Sequence, residues 1–313
     1  MEHKKNFLYE STFLNHIYNG FKEISNVVKF ENTDYLNKEI NQNNESDDII
    51  KQIDIISNNI MVKQLLHYDQ IIGYISEEEP DMVFLRRPNK DSDNYILCFD
   101  PLDGSKNIES NVTVGTIYCL FKYNYENNSF TDIIEAGYAL YGPKTILVKA
   151  SKGIVEMFLL NENNIFVKQK NLHFNTSPNS KLYAINRSNK YDNDVEKLIT
   201  YYNANNYNQR WIGSMVADCH QILLKGGIFL YPLSDKYKNG KLRLIYEVIP
   251  FSYIFRCAGG EGLDLNYNPI LNNFLNKSLD NTNLHRKTSI ILLSNYEIEH
   301  LQKINTVFDG LTC

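Results

Sequence analysis

The residues with the clearest capacity for chemistry are Asp100-Pro101-Leu102-Asp103-Gly104-Ser105, which follow the apolar run Tyr95-Ile96-Leu97-Cys98-Phe99. Asp100 and Asp103 stand three apart across a Pro-forced turn, so both carboxylates can be aimed at one point. Gly104 lets the backbone approach a ligand closely. Ser105 opens a stretch whose unpaired N–H groups suit a phosphate. Carboxylates gather a hard cation and the adjoining amides gather an anion, which together describe a metal-assisted phosphatase site. Taken as a fragment, Asp-x-x-Asp-Gly is more often a surface turn than a site; the whole six-residue string after a buried-looking strand is much more specific.

The elements that must position this string are read from periodicity. Phe13, Leu14, Ile17, Phe21, Ile24 and Val28 recur at helical spacing between Ser11 and Phe30, and Ile53 to Leu66 repeats the pattern with Asp54 at its start. Between them, Asn32 to Asp48 is polar and rich in acidic residues; a linker and a mobile acidic loop both fit. Ile71 to Ile75 is a strand running into Ser76-Glu77-Glu78-Glu79-Pro80, followed by a charged loop from Asp81 to Asn94. Strands are expected at Val112–Phe121, Asp132–Leu140, Lys144–Lys149, Gly153–Leu160, Ile165–Val167, Leu182–Ile185, Ile228–Pro232 and Ser289–Leu293. Helices are expected at Asp192–Asn203, Gly213–Lys225, Leu242–Ala258 with Pro250 interrupting it, and Glu297–Phe308. Mixed strands and helices without a repeat argue for an α/β molecule with layered sheets between helices.

Composition narrows the classes. The 313 residues, 43% of them hydrophobic, suit one large domain or two packed halves, divided here as 1–180 with the metal-binding turn and 181–313 with the substrate motifs. A net charge of −5 offers no basic field, which argues against nucleic acid, and no apolar run approaches a membrane span. The N-terminal Met1–Phe7 has neither signal nor transit character. Five cysteines without a Cys-x-x-Cys pair read as reduced thiols of a cytoplasmic protein. The histidines, His220 among them, show no metal-ligand spacing and read as structural.

The full string Asp-Pro-Leu-Asp-Gly-Ser resembles the metal-binding signature of the lithium-sensitive sugar-phosphatase superfamily. Asn107-Ile108-Glu109 and Val114–Ile117 extend the likeness toward the class I fructose-1,6-bisphosphatases. Ile75–Glu79, Ala136–Gly142, Arg210–Asp218, Gly226–Pro232, Asn239–Glu247 and Ala258–Gly260 are similar to further motifs of that family, so the resemblance covers about residues 10–300. It implies a layered αβαβα fold with mixed sheets between helices, commonly a homotetramer, acting in gluconeogenesis. It assigns divalent metal, Mg²⁺ with Mn²⁺ as substitute, to Glu77, Asp100, Asp103, Glu247 and the Leu102 carbonyl. At about 4 Å and an effective dielectric of about 20, two carboxylates repel by roughly 4 kcal/mol, so such a cluster is tolerable only around cations. The resemblance further assigns water activation to Asp54 and Glu78 with Asp48 assisting, which favours the acidic-loop reading of 32–48. Phosphate and sugar binding fall to Asp103, Gly104, Ser105, Asn186, Arg210, Met215, Tyr231 and Lys241, with Arg210 reaching in from a neighbouring subunit.

Four positions depart from the family pattern: Lys106 stands for a second Ser, Trp211 and Asn189 for phosphate-binding tyrosines, and Glu109 for an Asp. These changes bear on affinity and sugar preference, leaving sedoheptulose-1,7-bisphosphatase activity or a catalytically silent sugar-phosphate binder as alternatives. Leu8-Tyr9-Glu10-Ser11 and Asn94-Tyr95 align with a degraded AMP site, so AMP inhibition is expected to be weak or absent.

Overall fold

The computed structural model describes residues 14–43, 49–90, 92–175, 180–281, 283–298 and 300, with the side chains of 41–43 excepted. Leu8–Ser11 of the expected AMP segment, Asp48 and most of the expected Glu297–Phe308 helix lie outside them.

Helix α1 (Asn15–Phe30) buries Ile17, Tyr18, Phe21 and Ile24, the face its spacing foretells. The stretch read as an acidic loop carries regular elements up to residue 43: a short helix α2 (Thr33–Leu36), capped by the Asn32 side chain, leads to strand β1 (Glu39–Asn43), which pairs antiparallel with β2 (Ile49–Lys51). Helix α3 (Gln52–Leu65) follows at once. Then come β3 (Ile71–Ser76), β4 (Val83–Phe84), β5 (Asn94–Asp103), β6 (Val114–Asn124), β7 (Ser129–Tyr141), β8 (Thr145–Ser151), β9 (Ile154–Leu160) and β10 (Phe166–Asn171). These eight form one sheet in the order β10-β9-β8-β7-β6-β5-β3-β4, in which β3 and β5 run parallel and the other pairs antiparallel.

The second half contributes β11 (Leu182–Ala184), α4 (Asn193–Ala204), β12 (Asn208–Gln209), α5 (Met215–Lys225), β13 (Ile228–Tyr231), β14 (Leu242–Arg243), α6 (Ile249–Cys257), β15 (Glu261–Leu263), β16 (Lys287–Thr288) and β17 (Ile290–Leu293). A five-stranded sheet has the order β12-β11-β13-β17-β15, and β14 pairs with β16.

Strand alternation sorts side chains into three cores. Leu97, Phe99, Tyr118 and Leu120 face α1 and α3. Ile96, Cys98, Ile117, Cys119 and Phe121 face the opposite way, into a core shared with α5, α6 and one face of the small sheet, including Leu182, Ala184, Phe229 and Leu292. The other face of that sheet, Tyr183, Ile185, Ile228, Leu230 and Ile291, packs on Leu198, Ile199 and Tyr202 of α4. The layers are therefore αβαβα, as expected. Strands buried on both faces explain why the sequence reads as continuous apolar runs there.

Two local expectations are corrected. Asp100 to Asp103 is not a turn after the strand but a bulge within it: Asp100 pairs with Ile117 while Asp103 pairs with Gly115. Leu242 to Ala258 is not one helix; β14 passes into a π-helical turn (Leu244–Val248) before α6 begins. Pro250 near the start of α6 has no N–H to donate to residue 246, which suits a widened turn just before it.

Candidate active site

The bulge decides how the acidic string works. In a regular strand, residues three apart point to opposite faces. Here three steps on β5 stand against two on β6, so Asp100 and Asp103 reach the same side. Leu102 N donates to Asp100 Oδ1 at 2.9 Å and Thr116 Oγ1 to the Pro101 carbonyl at 2.8 Å, which fix the bulge. Asp103 Oδ2 accepts from Ser214 Oγ at 2.7 Å and from Val216 N at 2.8 Å, so it closes the N-terminus of α5 as a cap supplied from the neighbouring layer. Gly104 turns the chain at φ 80° into a single turn over Ser105–Asn107.

Glu247 comes from the π-helical turn. One oxygen each of Asp100, Asp103 and Glu247 lie within 4.8 Å of one another. Glu77 and Glu78 enter from the end of β3. Glu77 N donates to the Phe99 carbonyl at 3.2 Å, and Asn58 ties Ser76 Oγ at 2.7 Å to Glu79 Oε1 at 3.1 Å. This pinning turns Glu79 toward α3 while Glu77 and Glu78 line the cleft. Asp54 enters from the first turn of α3, where it accepts from Lys51 N at 2.8 Å; the ordinary capping role and a place on the cleft wall coincide.

The cleft opens to solvent. It collects Asp54, Glu77, Glu78, Asp100, Leu102, Asp103 and Glu247 of the expected acid and metal set. Gly104, Ser105, Met215, Tyr231 and Lys241 of the expected substrate set line it too. Asn186 and Arg210 do not line it: Asn186 Oδ1 accepts from Ser188 Oγ at 2.6 Å, and Arg210 is exposed. Of the departures, Lys106 and Trp211 line the cleft. Glu109 is exposed, and Asn189 reaches Tyr191 Oη at 3.4 Å. The Trp211 ring lies 14° from the plane of Phe229 and 5.8 Å from Tyr231, making an aromatic wall. Asp218 accepts from Ile212 N at 2.9 Å and Gly213 N at 3.1 Å, which holds the loop bearing Trp211.

Arg243 precedes Glu247 by four residues. It stands inside the acidic cluster, 2.7 Å from Glu77 Oε1, with its own N–H on Glu247 Oε2 at 2.6 Å. Lys51 is a second cation missed in the sequence; its Nζ lies 2.8 Å from Asn37 Oδ1 and 3.3 Å from the Ser105 carbonyl, tying the β1–β2 arm to the Ser105–Asn107 turn. His220 is a core group as expected, bonded to Tyr138 Oη at 2.7 Å and pushed down to about 4 by burial.

Burial dominates the electrostatics. It pushes Asp54 up to about 7 and Glu247 up to about 8, and it raises Asp103 and, with the repulsion of Glu77, Asp100. Buried carboxylates with oxygen-only donors, forced toward neutrality when no cation is near, fit a hard divalent cation and not a soft-metal site. A carboxyl with a raised folded pKa holds more protons folded than unfolded. Its stabilisation is complete below the ordinary carboxylate range and is lost as pH rises through about 7 for Asp54 and about 8 for Glu247. Chelated protein is therefore expected to lose thermal stability from about pH 5 to about pH 8. Added divalent cation competes with protons for the same oxygens, so it should raise the melting temperature more at the higher pH. Calorimetry at both values checks this; an equal or smaller cation increment at the higher pH contradicts it.

Family models match both halves of the chain: "Fructose-1-6-bisphosphatase, N-terminal domain" over residues 2–170 and "Fructose-1-6-bisphosphatase, C-terminal domain" over 176–306. The chain belongs to the fructose-1,6-bisphosphatase family. The class 1 fructose-1,6-bisphosphatase of Halorhodospira halophila is 36% identical over 278 residues, covering 81% of this chain and 79% of the relative. That of Neisseria meningitidis serogroup C is 35% identical over 274 residues, 82% and 81% of the two chains. The holo crystal structure of Leishmania major fructose-1,6-bisphosphatase superposes with a TM-score of 0.80 at 31% identity, covering 91% of this chain and 90% of that one. Its apo form gives 0.75 at 30% identity, over 91% and 89%. Dependence on a divalent metal goes with this family, and the clustered carboxylate oxygens of Asp100, Asp103 and Glu247 lie close enough together to hold one ion. Among the described residues no helix is long and apolar enough to cross a membrane.

Proposed function

We propose that this chain removes the 1-phosphate of fructose 1,6-bisphosphate, yielding fructose 6-phosphate and phosphate, as a Mg²⁺-dependent step of gluconeogenesis. The observation that carries the reading is the convergence of Asp100, Asp103 and Glu247 in a cleft that also holds Lys241 and Tyr231. We further propose a cytosolic homotetramer in which the partner subunit's Arg210 completes the distal phosphate pocket, consistent with the exposure of Arg210 outside its own cleft.

Glu77, Asp100, Asp103, Glu247 and the Leu102 carbonyl would hold the cations. When bound, Mg²⁺ or Mn²⁺ would supply positive charge to the phosphoryl oxygens and the leaving sugar alkoxide. Asp54, poised near pH 7 by burial, would accept a proton from the attacking water, with Glu78 orienting it. Gly104 and Ser105 would present backbone N–H groups to the 1-phosphate. Lys241 and Tyr231 would take the distal phosphate, and the sugar would lie between Met215 and the Trp211 wall.

The test is phosphate release from fructose 1,6-bisphosphate with Mg²⁺ and with chelator, beside sedoheptulose 1,7-bisphosphate. The expected result is cation-dependent release with the higher kcat/KM on the six-carbon sugar. A higher value on the seven-carbon sugar would reassign the substrate. Silence with both Mg²⁺ and Mn²⁺ would replace catalysis by sugar-phosphate binding.

A further inference from the structure

His285 is not among the residues that line the cleft, yet it joins the two segments that carry the carboxylates. Its Nε2 lies 3.1 Å from the Pro80 carbonyl and its Nδ1 lies 2.9 Å from Tyr246 Oη. Pro80 closes the segment bearing Glu77 and Glu78. Tyr246, fully buried, immediately precedes Glu247 in the π-helical turn. A carbonyl oxygen only accepts, so Nε2 carries the hydrogen, and in the neutral ring Nδ1 accepts from the tyrosine hydroxyl. One tautomer thus satisfies both bonds at once, and the ring sets the spacing between the glutamate loop and the turn.

That spacing matters because the carboxylates on the two segments repel. Inside the cleft, Arg243 draws Glu77 and Glu247 together by charge. An incoming cation must compete with that guanidinium for the same oxygens, so the guanidinium cannot by itself keep the oxygens placed for the cation. A clamp behind the site can, since it makes no claim on the oxygens. We propose that His285 is a positioning residue for divalent-cation binding, holding the Glu77–Glu78 loop at a fixed distance from the Glu247 turn. The inference rests on the metal-dependent reading above but is tested without turnover.

The test is a Mn²⁺ titration followed by electron paramagnetic resonance of the free ion, on the full chain and on His285→Ala, His285→Gln and Tyr246→Phe. His285→Ala is expected to weaken Mn²⁺ binding by about 10-fold or more, the usual size of a lost outer contact to a metal site. Gln places an amide N–H where Nε2 stood, so His285→Gln should recover most of the loss. Tyr246→Phe, which leaves the ring unanchored on one side, should fall between. A residue that only props the fold would lower the melting temperature of His285→Ala and leave the Mn²⁺ dissociation constant within twofold, and that result overturns the proposal. Should His285→Ala fail to fold, Tyr246→Phe decides by the same criterion. A chain that binds Mn²⁺ with the expected ranking but releases no phosphate leaves the clamp standing and removes the catalytic reading. A chain that binds no Mn²⁺ removes both.

Discussion

Asp100→Asn is expected to lower kcat for phosphate release by about 1000-fold or more, because cation stabilisation of the transition state is worth several kcal/mol and each 1.4 kcal/mol is about tenfold. The same change should raise the melting temperature of the chelated protein above neutral pH. Asp100 is buried with Glu77, Asp103 and Glu247 around it, and all of these press it toward neutrality. Asparagine is neutral at every pH and keeps the Oδ1 that accepts from Leu102 N, so the bulge survives while the repulsion goes. Loss of activity together with a gain in stability is the signature of a residue kept for chemistry at the expense of the fold. A phosphate assay and calorimetry without metal measure the two halves. Retention of a tenth of the activity, or a clear loss of stability, would contradict the argument.

Gly104→Ala is expected to have the second-largest effect, about 100-fold on kcat with a fall in melting temperature. Gly104 sits at φ 80°, and a Cβ there would lie 2.7 Å from Ser214 Cβ and 3.0 Å from its Oγ. The left-handed conformation alone costs a non-glycine residue about 1–2 kcal/mol. The clash adds to this and acts on Ser214, which donates to Asp103 at 2.7 Å, so the carboxylate moves with it. Gly153→Ala separates the two causes. Gly153 has φ 76° and nothing within 4 Å of an added Cβ, so it should show the conformational cost with unchanged kinetics. Equal kinetics for the two variants would show that Ser214 has room to give.

Much of the site was readable because its chemistry is local. Asp100 to Ser105 and Glu77-Glu78 each come directly after an unmistakable apolar run, and the parallel pairing of β3 with β5 brings the ends of both runs to one edge. Other features were hidden for physical reasons. Glu39–Asn43 carries one apolar residue in five, so no alternation marks it as a strand; only pairing with Ile49–Lys51 makes it one. Val83–Phe84 and Glu261–Leu263 are too short to show a period. Arg243 and Glu247, four apart, imitate a surface helix pair, whereas the strand-to-π transition turns both inward. His285 has no sequence signal at all, because its role exists only where two remote segments meet.

The bulge at Pro101-Leu102 also bears on how this gene can vary. Each residue added to or taken from a strand inverts the face of everything beyond it. Asp103 stands on the side of Asp100 only because β5 spends one residue more than β6 over that interval. The identity of the residue at 102 is thus less constrained than the count of residues between the two aspartates. Among descendants of this chain, a single-codon insertion or deletion there would part the carboxylates in one step.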